Sequence, residues 1–363
     1  MGDLSLLEHL GRQSARLCEV TGTDSTAVTD LLADLLGPAG STVLSDGPAW
    51  PSGIADDHTP VEFSVAFNRH GGGTLRLLGE ALASPAGTAA NLAAAYRFLD
   101  AQADRFGLAT SRFAQVRDLF AKPDSNAAFA LWFSLVFSGG RHPEFKVYLN
   151  PELRGVDRAP ELVAEAARRL GVDAAYRTVV ERACRPGEFG RGDRLSFFAL
   201  DLHDGPHARI KLYFSQHDAE ISDVVRAAGV VDGIETGELA AFCAAAGGGP
   251  GPFSGRPLVS SYTFAPGVGK PIGYSVYVPV RSYVSDDEEA RDRVAVLMDR
   301  HGFDAAHLDA VIAAVAGRSL REGSGLIAHA SLRLGPPTPG MTVYLSSEAY
   351  QTGAPRSRPV PVS

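Results

Sequence analysis

The chain has 363 residues, 45% of them hydrophobic and 21% charged, the make-up of a globular protein big enough for one large domain or two. A formal net charge of −8 excludes a global basic field for nucleic acid, and no apolar run reaches the roughly 18 residues of a membrane span. Cys18, Cys184 and Cys243 lack paired metal-ligand spacing and read as buried free thiols, and no basic-then-apolar leader is visible at Met1-Gly2-Asp3-Leu4, so a cytoplasmic location is expected.

In chain order, residues 4–36 supply one or two opening helices. A strand over 61–67 follows, then the turn glycines Gly71-Gly72-Gly73 and a short strand at Leu75-Arg76-Leu77-Leu78. Apolar residues at helical spacing mark a helix over 89–106. A second strand pair covers 130–138 and Phe145–Leu149 around Gly139-Gly140, and helices follow over 160–170 and 174–183. The third pair, 194–203 and 210–214, precedes helices over 218–228 and 238–246. The fourth, 258–264 and 274–278, precedes 288–300 and 305–316, where Ser285-Asp286-Asp287-Glu288 reads as a helix start with acidic residues at the positive end of the dipole. The fifth, 326–334 and 341–345, turns at Pro336-Pro337. The tail over 351–363, rich in Pro and Ser, is expected to be disordered, leaving residues 1–350 as a single domain.

The second strands of these pairs repeat one pattern. Phe145-Lys146-Val147-Tyr148-Leu149, Ile210-Lys211-Leu212-Tyr213-Phe214, Tyr274-Ser275-Val276-Tyr277-Val278 and Met341-Thr342-Val343-Tyr344-Leu345 have tyrosines 65, 64 and 67 residues apart, and Leu78 lies 70 residues before the first. Five helix–strand–strand–helix units with ten antiparallel strands follow. Helices must cover the apolar strand faces. Closing the sheet removes its exposed edges and leaves the Lys/Arg/Tyr face lining a lumen wide enough for ligands. A closed barrel inside a ring of helices is the expectation; an outward, solvated polar face is the alternative.

Alternation places Glu62, Ser64, Trp132, Ser134, Ser138, Asp201, His203, Ser261, Thr263, His329 and Ser331 on the lumen face of the first strands. Five cations, Arg76, Lys146, Arg209, Lys211 and Arg333, then share one cavity with two carboxylates, Glu62 and Asp201. Uncompensated buried charge costs on the order of several kcal/mol per ion, so the excess calls for an anionic ligand, and converging Arg and Lys suit a di- or triphosphate. Tyr148, Tyr213, Tyr277 and Tyr344 present aromatic faces that stabilise a cation by roughly 0.5–2 kcal/mol each and exclude water. Diphosphate and an allylic cation together describe prenyl transfer.

These motifs, in this order, resemble the dimethylallyltryptophan synthase family of aromatic (indole) prenyltransferases, in its shorter bacterial branch, over about residues 60 to 350. The resemblance implies the αββα (ABBA or PT) barrel and transfer, in secondary metabolism, of a dimethylallyl group from dimethylallyl diphosphate to the indole of tryptophan or a tryptophan-derived compound. It assigns Glu62 to the indole N–H, Arg76, Lys146, Arg209, Lys211 and Arg333 to the diphosphate, and the four tyrosines to the cation. Ser275 stands where a glutamine is common. Ser138 stands near a lysine that fungal members are proposed to use as base, so deprotonation falls to Glu62 or to a water relayed through Ser138 or His329; Trp132, Ser138 and His329 belong to the acceptor pocket on this reading. Prenylation of a phenol, and a non-catalytic barrel binding an anionic aromatic metabolite, are the alternatives. A monomer or homodimer taking only small-molecule partners is expected.

No metal or other cofactor is called for: neither Asp56-Asp57-His58 nor Asp286-Asp287-Glu288-Glu289 completes a magnesium-binding Asp-Asp-x-x-Asp. His70-Gly71-Gly72-Gly73 has no Gly-x-Ser-x-Gly partner and reads as a hairpin turn, and Gly267-Val268-Gly269-Lys270 runs into Pro271 and fails the P-loop pattern.

Overall fold

A computed structural model describes residues 4–356 except 70, 125, 139–141, 206–207 and 335–339; the expected turns at Gly139-Gly140 and Pro336-Pro337, His70 of the glycine turn and the tail from 357 lie outside the described residues. Ten strands form one closed antiparallel barrel: β1 (Val61–Phe67), β2 (Gly73–Glu80), β3 (Leu131–Phe137), β4 (Glu144–Leu149), β5 (Asp193–Asp201), β6 (Ile210–Gln216), β7 (Leu258–Phe264), β8 (Gly273–Val278), β9 (Ile327–Leu334) and β10 (Gly340–Ser346), with β1 closing onto β10. The five hairpins turn at the same, upper, end of the barrel.

Ten α-helices are found among the described residues: α1 (Leu6–Thr21), α2 (Ser25–Leu36), α3 (Thr88–Phe106), α4 (Ser111–Val116), α5 (Ala159–Arg169), α6 (Asp173–Arg182), α7 (Ile221–Ala228), α8 (Thr236–Gly247), α9 (Asp287–Arg300) and α10 (Ala305–Val315). They cover the outward faces, where Phe63, Leu77, Phe133, Val147, Leu212, Val276, Leu332 and Val343 are fully buried in one continuous apolar layer. The contact is close. A Cβ on outward-facing Gly79 would meet Leu35 Cδ2 of α2 at 2.3 Å, so any larger residue there forces the Leu35 side chain to move. No helix among the described residues is long and apolar enough to cross a membrane.

On even strands the lumen carries Leu78, Tyr148, Tyr213, Tyr277 and Tyr344, and each has one small cross-strand neighbour: Ser134 beside Leu78, Ala199 beside Tyr148, Ser261 beside Tyr213, Ser331 beside Tyr277 and Ser64 beside Tyr344. The neighbours on the other side are larger: Glu62, Trp132, Phe197, Val259 and His329 in the same order.

Four local features depart from the sequence expectation. Helix α4 was not anticipated; its Arg112 donates to the carbonyls of Asp201 (2.9 Å), His203 (2.9 Å) and Ala208 (3.4 Å) and so fixes the upper end of the β5–β6 hairpin. A bulge between Leu195 and Phe197 shifts β5 and turns Phe197 toward Tyr213. The tail, expected to be disordered from residue 351, is laid against the barrel through Arg356: Ser324 and Gly353 form a β-bridge, and Arg356 donates to the carbonyls of Ser282 and Ser285.

The fourth departure concerns Asp287. Asp286 is the N-cap of α9, accepting from the Glu289 N–H at 2.9 Å. Asp287, fully buried, instead accepts from the N–H groups of Gly325, Leu326 and Ile327 at 3.0–3.2 Å and pairs with Arg318, tying α9 to the start of β9. Asp287→Ala strands three backbone donors and leaves Arg318 with Glu348 as its remaining carboxylate partner, so the expected cost is about 3 kcal/mol or more. Urea unfolding measures it; an unchanged midpoint would show that β9 holds its place without this tether.

Candidate active site

Two connected cavities fill the barrel. The upper, about 520 Å³, lies under the hairpin turns and includes Arg76, Arg209, Lys211 and Arg333; the middle one, about 350 Å³, adds Glu62, Trp132, Lys146, Tyr148, Tyr213 and His329. Arg76, Arg209, Lys211, Tyr277 and Tyr344 line both, so the two are one lumen.

Register explains why the cations cluster. Arg76, Lys146 and Lys211 each sit two residues above the Leu78, Tyr148 and Tyr213 positions on even strands, so they form one layer on one side of the barrel. Ser275 and Thr342 hold the equivalent places on β8 and β10, where Arg333, cross-strand from Ser275, supplies the charge instead. Asp201 binds Lys146 Nζ at 2.8 Å and Arg209 Nε at 2.7 Å. Burial alone would raise the Asp201 carboxyl, but these two cations outweigh it and hold it below the usual carboxylate range. Arg76 and Lys211 make no ion pair among the described residues, and Arg76 Nε is buried without a hydrogen-bond partner. Burial, then Lys146 and Arg209, pushes the Lys211 ammonium far down; burial and Arg209 bring Lys146 to about 8 despite Asp201. One carboxylate serves a chamber of five cations. Its unmet charge suits a compact polyanion.

Below the cations lies the aromatic layer. Ring centroids are 5.6 Å apart for Tyr148–Tyr213 and 5.9 Å for both Tyr213–Tyr277 and Tyr277–Tyr344, a continuous arc over half the lumen. The Tyr148 and Tyr213 hydroxyls are 3.3 Å apart, and burial raises both phenols far above their ordinary range, so these two present neutral π-faces. The wall beside Tyr148 and Tyr213 is apolar: Trp132 stacks on Phe129 at 3.9 Å and 21°, Phe197 meets the two tyrosines edge-on at 5.9 and 5.7 Å, and Ile54 and Leu78 pack around them. Leu78 takes the place of the missing fifth ring.

Glu62 projects into the lower lumen, 5% exposed. Burial lifts its carboxyl to about 7, against the pull of the Arg281 guanidinium. His329 faces the same space, with Tyr344 edge-on at 6.1 Å. Arg281 Nη1 lies 3.3 Å from His329 Nδ1, and because a guanidinium can only donate, Nδ1 accepts and the proton resides on Nε2. Burial with Arg281 and Arg256 pushes the imidazole well below its usual range. His329 is therefore neutral and offers the lumen a donor, which makes it unsuited to accept the reaction's proton. Ser138 also departs from expectation: β3 ends at Phe137, and Val136 is the last cavity-lining residue on that strand, so Ser138 is not part of the lining. His203 stays at the rim, 3.9 Å from Asp201.

The remaining expected residues meet in this lumen. The list of lumen residues passed over Phe197, which shares parity with Asp201, and periodicity missed Phe129, Ile54, Arg256 and Arg281, which lie outside the strands where no alternation exists. Among the described residues no cluster of His, Cys, Asp and Glu could hold a metal ion.

A family model described as tryptophan dimethylallyltransferase matches residues 26–310. A 6-dimethylallyltryptophan synthase from Micromonospora olivasterospora, solved with DMASPP and Trp, is 61% identical with a TM-score of 0.94, over 97% of this chain and 100% of that one. The prenyltransferase PriB, solved with L-tryptophan and dimethylallyl thiolodiphosphate, is 37% identical at a TM-score of 0.90, covering 98% and 99% of the two chains. A 5-dimethylallyltryptophan synthase from Streptomyces coelicolor is 33% identical at a TM-score of 0.89, covering 99% of each.

Proposed function

The chain belongs to the tryptophan dimethylallyltransferase family, and we propose that it moves the dimethylallyl group of dimethylallyl diphosphate to carbon 6 of the tryptophan indole. The observation that carries this reading is the vertical order of the lumen: a layer of cations above, tyrosine faces in the middle, a carboxyl of pKa about 7 below. Position 6 rests on the 61% identity with an enzyme named for that product.

The C–O bond of the diphosphate ester breaks and its electron pair leaves with the diphosphate, held by Arg76, Lys146, Arg209, Lys211 and Arg333. Preorganised charge at the leaving group is the largest catalytic device available here. The allylic cation forms between Tyr148, Tyr213, Tyr277 and Tyr344, whose π-faces stabilise it and whose packing keeps water away. Glu62 accepts the indole N–H, which orients the ring and enriches it in electrons. It is also the proton acceptor the lower lumen offers when the alkylated ring carbon gives up its hydrogen.

Incubation with dimethylallyl diphosphate and tryptophan is expected to give 6-dimethylallyltryptophan and one diphosphate per turnover, at an undiminished rate in EDTA, because the cation layer takes the place of a metal. Product NMR identifies the ring atom. Turnover of phenols in preference to tryptophan, or binding without diphosphate release, would defeat the proposal.

A further inference from the structure

Glu80, the last residue of β2, is 2% exposed and makes no ion pair among the described residues. It shares the inward parity of Leu78 and sits cross-strand from Trp132, yet it lies behind the cavity surface: Trp132, Gly53 and Ile54 line the lumen and Glu80 does not. Three donors converge on its carboxyl. Ser52, on the loop ahead of β1, donates its hydroxyl at 2.6 Å and accepts from the Ile54 N–H at 3.4 Å. Burial lifts the Glu80 carboxyl to about 7, while the Ser52 hydroxyl, then the indole N–H groups of Trp132 and Trp50, pull the other way. Both indole nitrogens are buried outside strict hydrogen-bond geometry, and neither has another acceptor among the described residues. The same loop closes over Trp132. A Cβ on Gly53 would stand 3.6 Å from the Trp132 Cζ2, and Ile54 packs in one cluster with Trp132 and Phe129.

Prenyl transfer itself makes no use of Glu80, and a buried carboxyl without a cation is costly to keep. Stacking on Phe129 fixes the plane of the Trp132 ring but leaves it free to turn within that plane; an acceptor at the indole N–H removes that freedom. We propose that Glu80 is a positioning residue for ring selectivity: its carboxyl links Trp132 to the loop over 52–54 and so sets the wall against which the acceptor indole lies. The inference rests on the reading of the lumen as an indole prenyl-transfer site. Adjacent ring carbons lie one bond length apart, so a small turn of the wall changes which of them meets the allylic cation. Either protonation state of the carboxyl keeps an acceptor oxygen, so the role is one of geometry and not of charge.

Glu80→Leu keeps the volume and removes the acceptor. Its kcat/KM for tryptophan is expected to fall by about 10- to 100-fold. The loss should appear in KM for tryptophan and not in KM for dimethylallyl diphosphate, and product NMR should find a second ring position prenylated. Glu80→Gln retains a carbonyl acceptor and should restore the single product. Ser52→Ala cuts the link at its loop end with a small change of volume, and should raise KM for tryptophan even where the leucine variant does not fold. Trp50 and Trp132 are the two tryptophans of the chain, so the fluorescence of a Trp50→Phe protein reports Trp132 alone. Adding Glu80→Leu or Ser52→Ala to that protein should shift the emission without any turnover. Folded variants that keep a single product and the wild-type KM for tryptophan would overturn the assignment, as would equal losses for both substrates with no rescue by glutamine. Absence of product from the wild-type protein with every indole would instead overturn the reading of the reaction; an unchanged Trp132 emission would then still sink the link to Glu80.

Discussion

Replacing Glu62 with glutamine is expected to cut kcat for tryptophan prenylation by about 10²–10⁴-fold while making the protein more stable at pH 8. Both effects have one source. Glu62 is 5% exposed, and burial raises its carboxyl to about 7 from an ordinary 4.5. Folded protein therefore holds the Glu62 proton between pH 4.5 and 7 where unfolded protein has released it, so this group's contribution to stability falls as pH rises through that window. The full cost, about 3 kcal/mol by the pKa difference, applies at pH 8. Glutamine keeps the shape and abolishes the cost. It also loses the charge that draws the indole N–H and the capacity to take a proton. Wild-type kcat/KM should rise with pH through about 7 and flatten above it; the glutamine variant should show no such rise. Urea unfolding at pH 5 and pH 8 gives the stability half of the prediction. A variant with wild-type kcat, or a wild-type profile flat from pH 5.5 to 8.5, removes Glu62 from the chemistry.

The lumen was legible in the sequence because a strand alternates with period two and this chain repeats the alternation five times. Arg76, Lys146, Lys211 and the four tyrosines need only that period and the apolar residues between them. Periodicity fails where the backbone breaks step. The bulge at Leu195/Phe197 changes parity within β5: counted from Asp201, Phe197 falls inside, whereas counted from outward-facing Leu195 it would fall outside. Ser138 fails for a related reason: the strand ends before it, and parity beyond a strand has no meaning. Asp56, Arg256 and Arg281 lie on three connections that meet only in the folded barrel, so no spacing links them. Asp286 and Asp287 show a subtler limit. The acidic pair does mark a helix start, yet only Asp286 caps it, while Asp287 serves a strand nearly forty residues away.

Lys211→Met should lower kcat/KM for dimethylallyl diphosphate by about 10²–10³-fold without destabilising the barrel. Lys211 is buried and unpaired among the described residues, and burial with Lys146 and Arg209 depresses its ammonium far below 10.5. In the depressed window the folded chain binds fewer protons at this site than the unfolded chain, so its contribution to stability grows with pH. Methionine removes the desolvated charge and keeps the alkyl stem beside Tyr213, so the melting temperature at pH 7 should equal or exceed that of wild type. Function runs the other way. A diphosphate entering the chamber supplies the missing negative charge, raises the pKa of Lys211 and of Lys146, itself near 8, and draws protons from solvent. Calorimetric titration of inorganic pyrophosphate at pH 8, in buffers of different ionisation enthalpy, should record this uptake. The Lys211→Met variant should take up fewer protons and bind pyrophosphate more weakly. Uptake unchanged in the variant would locate the diphosphate away from Lys211. An active, folded variant within about threefold of wild type would do so more decisively, since removing one preorganised charge from a leaving-group site costs far more than that.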